Sequence, residues 1–258
     1  MRVFVCIKQV PDTETRIKLS ADNQQIDTAG IKWIINPYDE FAIEEAIRFK
    51  ESHAETRVTA ITIGPKSRVN NALLTAMAMG VDDSIVVECP ESLDALTTAK
   101  ALAAAIKKEG DFSLIYCGKL AIDANAAAVS QMLAELLDIP HTSVVSKADY
   151  QAGAVVVERE VEGGTKETLK LSLPALIAAN KGLNKPRFAS LPGIMKAKKK
   201  PIAELSLEDL EVKSSDVKVK YTNYTLPKEK PPCKMIEGDA QAQVDELVQL
   251  LQNEAKII

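Results

Sequence analysis

The sequence predicts an α/β fold: a parallel sheet with helices on both faces, then a β-hairpin and an extended C-terminal arm with a terminal helix. Three observations predict it. Short apolar runs alternate with segments of helical spacing through the first 150 residues. The apolar runs are nearly continuous, which is typical of parallel strands buried on both faces. After residue 201 this alternation stops and the sequence becomes polar.

Five strands of the parallel region are indicated by apolar runs that end at turn residues. The first ends at Pro11, which lacks an amide hydrogen for strand pairing, and the second at Gly64-Pro65. Residues 16–32 are polar and predict a hairpin-like excursion after the first strand. The predicted strands are 1–10, 57–64, 81–88, 111–118 and 142–146.

Four helices are predicted between these strands. The first follows the Asn36-Pro37 turn and carries Asp39 and Glu40 in its first turn, where negative charge suits the helix dipole. Gly80 is placed to end the second helix. The remaining predicted helices are 67–80, 92–110 and 125–137. Ligands of such sheets bind beyond the carboxyl ends of the strands, at a topological switch point.

A hairpin is predicted over residues 155–173, with Gly163-Gly164 at the bend because glycine adopts positive φ at little cost. The apolar run from Leu173 to Ala179, interrupted by Pro174, predicts a buried element. A loop rich in Gly, Asn and Pro then leads to a short basic segment.

The C-terminal arm, residues 201–258, has too few apolar residues for a core of its own. It ends in a predicted amphipathic helix, 239–256. We therefore expect the arm to lie on another surface, either this protein's own body or another chain. The apolar positions of that helix are Val244, Leu247, Val248, Leu250 and Leu251.

Composition excludes several classes of function. The net charge of −4 argues against general nucleic-acid binding. No apolar run approaches the ~20 residues of a membrane span, and no signal peptide is recognisable. We expect a protein that works where it is made or enters an organelle uncleaved.

Metal and catalytic sites are also not indicated. The four cysteines are widely separated and only two histidines are present, so no zinc site is predicted; Cys6 and Cys117 are expected to be buried thiols. No catalytic acid–base constellation stands out, and we interpret Glu44-Glu45 as a solvated helix face. The protein is therefore not expected to be an enzyme.

The segment after the fourth predicted strand is the sharpest ligand motif. Gly118 is followed by a short loop and then by small residues in the predicted first turn of a helix, whose unobstructed amides would suit a phosphate. The alternative is a plain loop in which Asp123 or Asn125 caps the helix. The usual dinucleotide and triphosphate fingerprints are absent.

The basic segment has two interpretations. Ser190 is placed to cap a short helix, with Lys196 on one face with Lys199 and Lys200. These lysines either form a solvated helix end or steer an acidic partner towards Leu191, an apolar anchor.

These features resemble the β subunits of electron transfer flavoproteins. The hairpin motif that carries the resemblance consists of Val157, Arg159, Glu162, Gly163, Gly164, Glu167, Leu169, Pro174, Leu176, Ile177 and Ala178. Residues 184–200 resemble the family's partner-recognition loop. Also similar are 3–8, 36–46, 76–80 and 118–123, so the resemblance covers nearly the whole chain.

The resemblance implies an adenine-nucleotide-hydrolase-like α/β domain, 1–200, that includes the recognition loop, and an arm, 201–258, that packs on an α subunit. It implies a heterodimeric electron carrier whose FAD is held mainly by that α subunit. Electrons would come from flavin dehydrogenases of the acyl-CoA type and pass to a membrane quinone reductase. The implied location is the bacterial cytoplasm or, in a eukaryote, the mitochondrial matrix, with fatty acid oxidation as the process served.

The resemblance also implies site residues. Tyr38 would face the flavin of the α subunit. The implied nucleotide contacts are Cys6, Lys8, Asn36, Gly64, Asp123, Ala126, Ala127, Ala128 and Val129. The implied partner contacts are Leu191, Pro192, Ile194, Met195, Lys196, Lys199 and Lys200.

The nucleotide itself has two candidates, AMP and a second FAD. Electron-bifurcating relatives carry Thr and Gln where this chain has Ala126 and Ala128, so the expected contacts to a second flavin are missing. Polar side chains usual near the phosphate of AMP are missing too, although backbone amides could serve. We expect structural AMP, with a bifurcating subunit that holds a second FAD as the alternative.

Two further hypotheses belong to other classes. A nucleotide-sensing α/β binding module would account for the phosphate loop but not for the arm, Leu191 or the lysines. An ATP-cleaving enzyme of this fold would require a Gly-rich pyrophosphate loop, which this sequence lacks.

Overall fold

The computed structural model describes residues 1–89, 93–230 and 232–258. Its strands are β1 (Arg2–Cys6), β2 (Gln9–Pro11), β3 (Lys18–Leu19), β4 (Ile26–Asp27), β5 (Trp33–Ile35), β6 (Arg57–Gly64), β7 (Asp83–Glu88), β8 (Leu114–Gly118), β9 (His141–Gln151), β10 (Ala154–Glu160), β11 (Lys166–Ser172), β12 (Ala175–Ala179) and β13 (Ala203–Ser206). Its helices are α1 (Pro37–Ser52), α2 (Lys66–Met79), α3 (Ala95–Glu109), α4 (Val129–Leu137), α5 (Leu191–Ala197) and α6 (Ala240–Gln249).

The main sheet has nine strands in the order β11-β10-β9-β12-β8-β1-β6-β7-β13. The strands from β9 to β13 in this order pair in parallel. The pairs β9-β10 and β10-β11 are antiparallel, and the last of these is the predicted hairpin. The predicted α/β class is confirmed.

Helices cover both faces of this sheet. Side chains alternate between faces along a strand, so β1 contributes to two separate cores. Val3 and Val5 pack with residues of α1 and α2, whereas Phe4 and Cys6 pack with residues of α3 and α4. Phe4 is fully buried, and burial of such a side chain contributes about 1.5–3 kcal/mol.

Several strands are shorter than predicted or take a different position in the sheet. The predicted first strand divides, because β1 ends at Cys6 and β2 pairs antiparallel with β5 in a separate small sheet. The predicted strand 142–146 is the beginning of β9, which is parallel to β12 there and antiparallel to β10 further on. The buried run after the hairpin is β12, inserted between β8 and β9. Long-range pairing sets these positions.

Two helix starts differ from the prediction. The predicted start at Ser92 lies outside the described residues; α3 is described from Ala95 and is capped by Asp94, which accepts a 2.8 Å hydrogen bond from the amide of Thr97. The predicted start of the fourth helix at Asn125 is wrong, because Asn125 and Ala127 have left-handed φ of 52° and 46° and α4 begins at Val129.

The sheet takes in residues that we assigned to the arm. Strand β13 pairs with β7, and Leu210 and Val212 are buried with Val87. The compact unit that holds the sheet comprises residues 1–17 and 27–222, beyond the predicted boundary at 200. Edge strand β13 follows a basic, proline-containing stretch that gave no strand signal from sequence.

A second compact unit comprises residues 18–26 and 223–258. Its helix α6 is the predicted terminal helix, and Asp239 caps it through a 2.9 Å hydrogen bond from the amide of Ala242. The side chains of Val244, Leu247 and Val248 are 54%, 46% and 38% exposed. Across the described ranges, no helix combines the length and apolar character needed to cross a membrane.

Candidate functional site

The carboxyl edge of the parallel sheet contains a topological switch point. The chain runs from β1 to β6 and β7 on one side and then returns to the other side of β1 as β8. Ligands of open α/β sheets bind at such crevices. Cys6, Gly64 and Gly118 end the strands here, and Lys8 and Asp123 follow two of them.

Asp39 joins three elements beneath this edge. Its buried carboxylate accepts hydrogen bonds from the amide of Lys8 at 2.7 Å, the side-chain amide of Asn36 at 2.9 Å and the amide of Gly118 at 3.0 Å. Burial raises the pKa of Asp39 to about 7, although these donors oppose the rise. The sequence indicated only a helix-dipole role for this residue.

Asn36 lies behind the predicted ligand loop. Its side chain is fully buried, donates to the carbonyl of Leu120 at 2.8 Å and accepts from the amide of Ile122 at 3.1 Å. These bonds, with the one to Asp39, use the side chain within the protein. Asn36 therefore orients the loop that leads to Asp123.

Lys8 and Asp123 form an ion pair at the rim of the edge. The ammonium lies 2.9 Å and 2.7 Å from the two carboxylate oxygens. The two side chains are 50% and 29% exposed, so the pair contributes at most about 1 kcal/mol to stability.

The loop between Asp123 and α4 presents free backbone amides. Within the described residues, Ala126, Ala127 and Ala128 donate their amides to no protein acceptor. Ala128 stands at the N-cap of α4 without a side-chain cap, so the alternative in which Asp123 or Asn125 caps the helix is wrong. Successive amides with left-handed residues among them form anion-binding concavities, and a helix N-terminus adds its dipole.

Two glycines at this edge occupy positions where a Cβ would clash with neighbouring atoms. Gly64 has φ of +146°, and a Cβ there would lie 2.9 Å from Val69 Cγ1. A Cβ at Gly118 would lie 2.8 Å from the backbone carbonyl carbon of Tyr38 and would overlap Asp39. Gly118 thus lets β8 pack against the start of α1, where Lys119 Nζ lies 4.8 Å from the Tyr38 ring centroid.

Cys6 and Cys117 are the predicted buried thiols, and both are free and buried. Cys6 is the last residue of β1, and Cys117 is the next-to-last residue of the neighbouring strand β8. The adjacent Cys6 thiol, together with burial, raises the pKa of Cys117 well above its usual value.

The basic segment forms the predicted short helix, α5. Ser190 caps it by accepting a 3.1 Å hydrogen bond from the amide of Gly193. Ala197 is buried with residues of α2, while Leu191 and Met195 are 79% and 67% exposed. Phe188, which the sequence analysis did not single out, is 95% exposed just before the helix.

The lysines do not share one helical face as predicted. Helix α5 ends at Ala197, so Lys199 and Lys200 lie beyond it. Lys200 instead donates to the carbonyls of Val81 at 3.2 Å and Asp82 at 2.9 Å. Lys196 and Lys199 are exposed near Leu191, as is Lys198.

Comparison with known proteins decides the family. The family model described as the electron transfer flavoprotein domain matches residues 24–210. The chain belongs to the electron transfer flavoprotein family. It is 42% identical to the electron transfer flavoprotein subunit beta of Bacillus subtilis and 40% identical to the mitochondrial subunit beta of Arabidopsis thaliana, each over the full length of both chains. The subunit beta of Mus musculus is 42% identical over 82% of this chain and 84% of its own length.

Electron transfer flavoprotein β subunits are components of electron carriers rather than catalysts. The name of these relatives implies an α-subunit partner. Relatives occur in bacteria and in plant mitochondria. The resemblance found in the sequence is therefore confirmed at the level of the family and subunit type.

The segment that precedes α5 is anchored to α1 by three glutamates, Glu44, Glu45 and Glu51. Both Glu44 and Glu45 are buried, so our interpretation of a solvated face is wrong. Arg187 binds Glu44 at 2.8 Å and Glu51 at 2.7 Å, and these two carboxylates raise the pKa of Arg187. Glu45 accepts from Asn184 at 2.9 Å. The partners lie more than a hundred residues apart in sequence, and no local pattern could have indicated them.

Proposed function

We propose that this chain is the β subunit of a heterodimeric electron transfer flavoprotein that takes electrons from flavin dehydrogenases of the acyl-CoA type. It passes them to a membrane quinone reductase, in the bacterial cytoplasm or in the mitochondrial matrix. The observation that carries the proposal is the combination of a polar carboxyl edge with an exposed apolar segment, α5, on a chain of this family. We assign the nucleotide to the edge and the dehydrogenase to α5.

The free amides of Ala126, Ala127 and Ala128 support a bound phosphate at the carboxyl edge. Lys8, which forms the ion pair with Asp123, is placed to add a positive charge to this phosphate site. We assign Cys6 and Gly64 to the floor and wall of this site, Val129 to its helix end, and Asn36 to support of the loop. The structural role of AMP in this proposal is to fill the edge and order the loop.

A second FAD at the same edge is the alternative. The three alanines offer backbone amides but no side-chain hydrogen bonds. That composition suits a small phosphate ligand more than an additional redox flavin, whose ring needs specific polar contacts to set its potential. Bifurcation is therefore the less favoured proposal.

The redox FAD of this proposal is held mainly by the α subunit and supplies the electron-accepting chemistry when bound. Tyr38 is the residue of this chain that we assign to the flavin side, beside Lys119. The exposed apolar residues of α6 support an arm that packs on the α subunit, since an isolated helix with such a face needs a partner surface.

Dehydrogenase docking is assigned to α5. Leu191 and Met195 project a largely exposed apolar surface, with Pro192 and Ile194 beside them. Exposed apolar groups of this kind, rather than rim charges, supply most of the affinity of an interface. Lys196 and Lys199 are placed to steer an acidic partner, and Lys200 stabilises the base of the segment.

The test is to purify the heterodimer, denature it and identify the released nucleotides by chromatography. The proposal predicts FAD together with AMP. Release of two FAD molecules per heterodimer would support bifurcation instead. Release of flavin without any second nucleotide would contradict the assignment of the carboxyl edge.

A further inference from the structure

Arg68 is a half-buried cation at the carboxyl edge with no assigned role. It lies in the first turn of α2, and its guanidinium stacks 4.1 Å from the ring centroid of Trp33. Its Nη1 donates to Gln9 Oε1 at 3.0 Å, and Gln9 Nε2 donates back to the Arg68 carbonyl at 3.1 Å. Gln9 is buried. The guanidinium is therefore held in one orientation by two side chains.

The guanidinium of Arg68 lacks a carboxylate of its own. Among the described residues it forms no ion pair within 4.0 Å. The carboxylate whose charge reaches it is Asp123, and the ammonium of Lys8 already occupies both oxygens of Asp123. Burial lowers the pKa of Arg68, which means that its charged form is incompletely compensated. An added anion would stabilise this cation.

The helix that carries Arg68 makes an added anion beside this side chain still more favourable. The first turn of α2 contains no acidic residue and carries two basic ones, Lys66 and Arg68. Positive side chains are unfavourable at a helix N-terminus, where the dipole is itself positive. Glu88 accepts from the amide of Lys66 at 2.7 Å, and Glu204 binds the Lys66 ammonium at 2.8 Å. Glu204 thus compensates the Lys66 ammonium and Glu88 binds an amide of the first turn, whereas neither carboxylate pairs with Arg68 in the described part of the chain.

The position of Arg68 points to the nucleotide. Its Nη2 lies 3.6 Å from where a Cβ of Gly64 would be, so the guanidinium reaches the carboxyl end of β6. Asp123, the carboxylate whose charge acts on Arg68, lies at the start of the loop that contains the free amides of residues 126–128. Within the described ranges, Gln9 Oε1 is the one protein acceptor of the Arg68 guanidinium, so its other N–H groups can donate to the oxygens of a phosphate.

We propose that Arg68, oriented by Trp33 and Gln9, is a phosphate-binding residue of the adenine-nucleotide site. It acts opposite the amides of residues 126–128 and recognises the phosphate rather than the nucleoside. This inference rests on the proposed function, because it assigns a residue to the nucleotide site proposed there.

The test compares AMP with adenosine on the nucleotide-depleted heterodimer by calorimetric titration. Arg68→Gln should weaken AMP binding about tenfold or more, since a hydrogen bond to a charged group of this kind is lost. Adenosine binding should stay unchanged, which also shows that the variant is folded. Arg68→Lys should recover part of the loss. Arg57→Gln is the matched control, because Arg57 pairs with Asp83 at the other end of β6, and it should bind AMP as the wild type does.

The outcomes separate this inference from the proposed function. AMP binding that is equally tight in the wild type and in Arg68→Gln would overturn the role of Arg68 and leave the nucleotide site intact. Equal losses for AMP and adenosine would also overturn it, because the effect would not be on the phosphate. A wild-type heterodimer that binds neither compound would overturn both.

Discussion

The ionisation of Asp39 links the carboxyl edge to the stability of the fold. Burial raises the pKa of this carboxyl group, and its hydrogen bonds lower that pKa. Burial dominates, so the pKa in the folded protein is about 7. The folded state then holds a proton that the unfolded chain releases near its ordinary pKa of 3.8. Stability must fall as the pH rises between these values.

Asp39→Asn provides the reference for this effect, because asparagine does not titrate. The excess free energy of unfolding of the wild type over the variant should decrease as the pH rises from about 4 to 7, by a few kcal/mol at about 1.4 kcal/mol per pKa unit. Urea denaturation of both proteins across this range measures it. An excess that grows with pH would mean that the three donors, rather than burial, control the group.

Leu191 is the most exposed apolar residue of α5 itself. We expect Leu191→Ala to lower kcat/KM for electron acceptance from a dehydrogenase about 5- to 30-fold, since loss of a central anchor typically costs 1–2 kcal/mol. Nucleotide content should not change. Ile17→Ala, another exposed apolar site, is the matched control. Unchanged dehydrogenase kinetics in Leu191→Ala would exclude docking through this residue.

At the scale of elements, the segment that precedes α5 is held to α1 by Arg187. Arg187 is one-third exposed, but Glu44 is buried against it. We expect Arg187→Gln to destabilise the protein by about 1–3 kcal/mol, because a buried carboxylate loses its partner. Thermal unfolding of the variant measures the loss.

A double variant makes this test specific. Arg187→Gln combined with Glu44→Gln should be less destabilised than the sum of the single variants, since neither charge is then left alone. Arg57→Gln breaks the exposed pair with Asp83 and should cost no more than about 1 kcal/mol. Additive losses in the double variant would show that the two side chains are not coupled.

The elements that the sequence predicted well are those with local signals. Strand β6 and helix α2 have apolar patterns bounded by Gly64-Pro65 and Gly80, and their observed limits agree closely with the prediction. The start of α4 was wrong because small residues suit both a helix and a loop. Only the left-handed conformations of Asn125 and Ala127 distinguish them.

The order of the strands in the sheet, and the hydrogen bonds within the candidate site, could not be predicted from local sequence patterns. The insertion of β12 between β8 and β9 depends on pairing across the whole chain. The three donors to Asp39 come from the link between β1 and β2, the residue before α1 and the end of β8. The sequence indicated the residues of the edge through family resemblance, whereas their hydrogen bonds follow from the fold.

At the scale of the whole molecule, the chain divides into a sheet-bearing unit and a small unit with α6. The sheet-bearing unit provides the carboxyl edge and α5, and the small unit provides an exposed apolar helix face. The proposed heterodimer accounts for both features, since we assign nucleotide and dehydrogenase to the sheet-bearing unit and contact with the α subunit to the small unit.

The central claim is that this chain forms an electron-accepting heterodimer. The most direct measurement is the flavin absorbance of the chain co-purified with its α subunit, recorded after addition of an acyl-CoA dehydrogenase and its substrate. We expect a yellow complex whose flavin absorbance bleaches when the dehydrogenase and its substrate are added. A colourless monomer that does not associate with the α subunit, or a flavin that stays oxidised with every dehydrogenase tried, would contradict it.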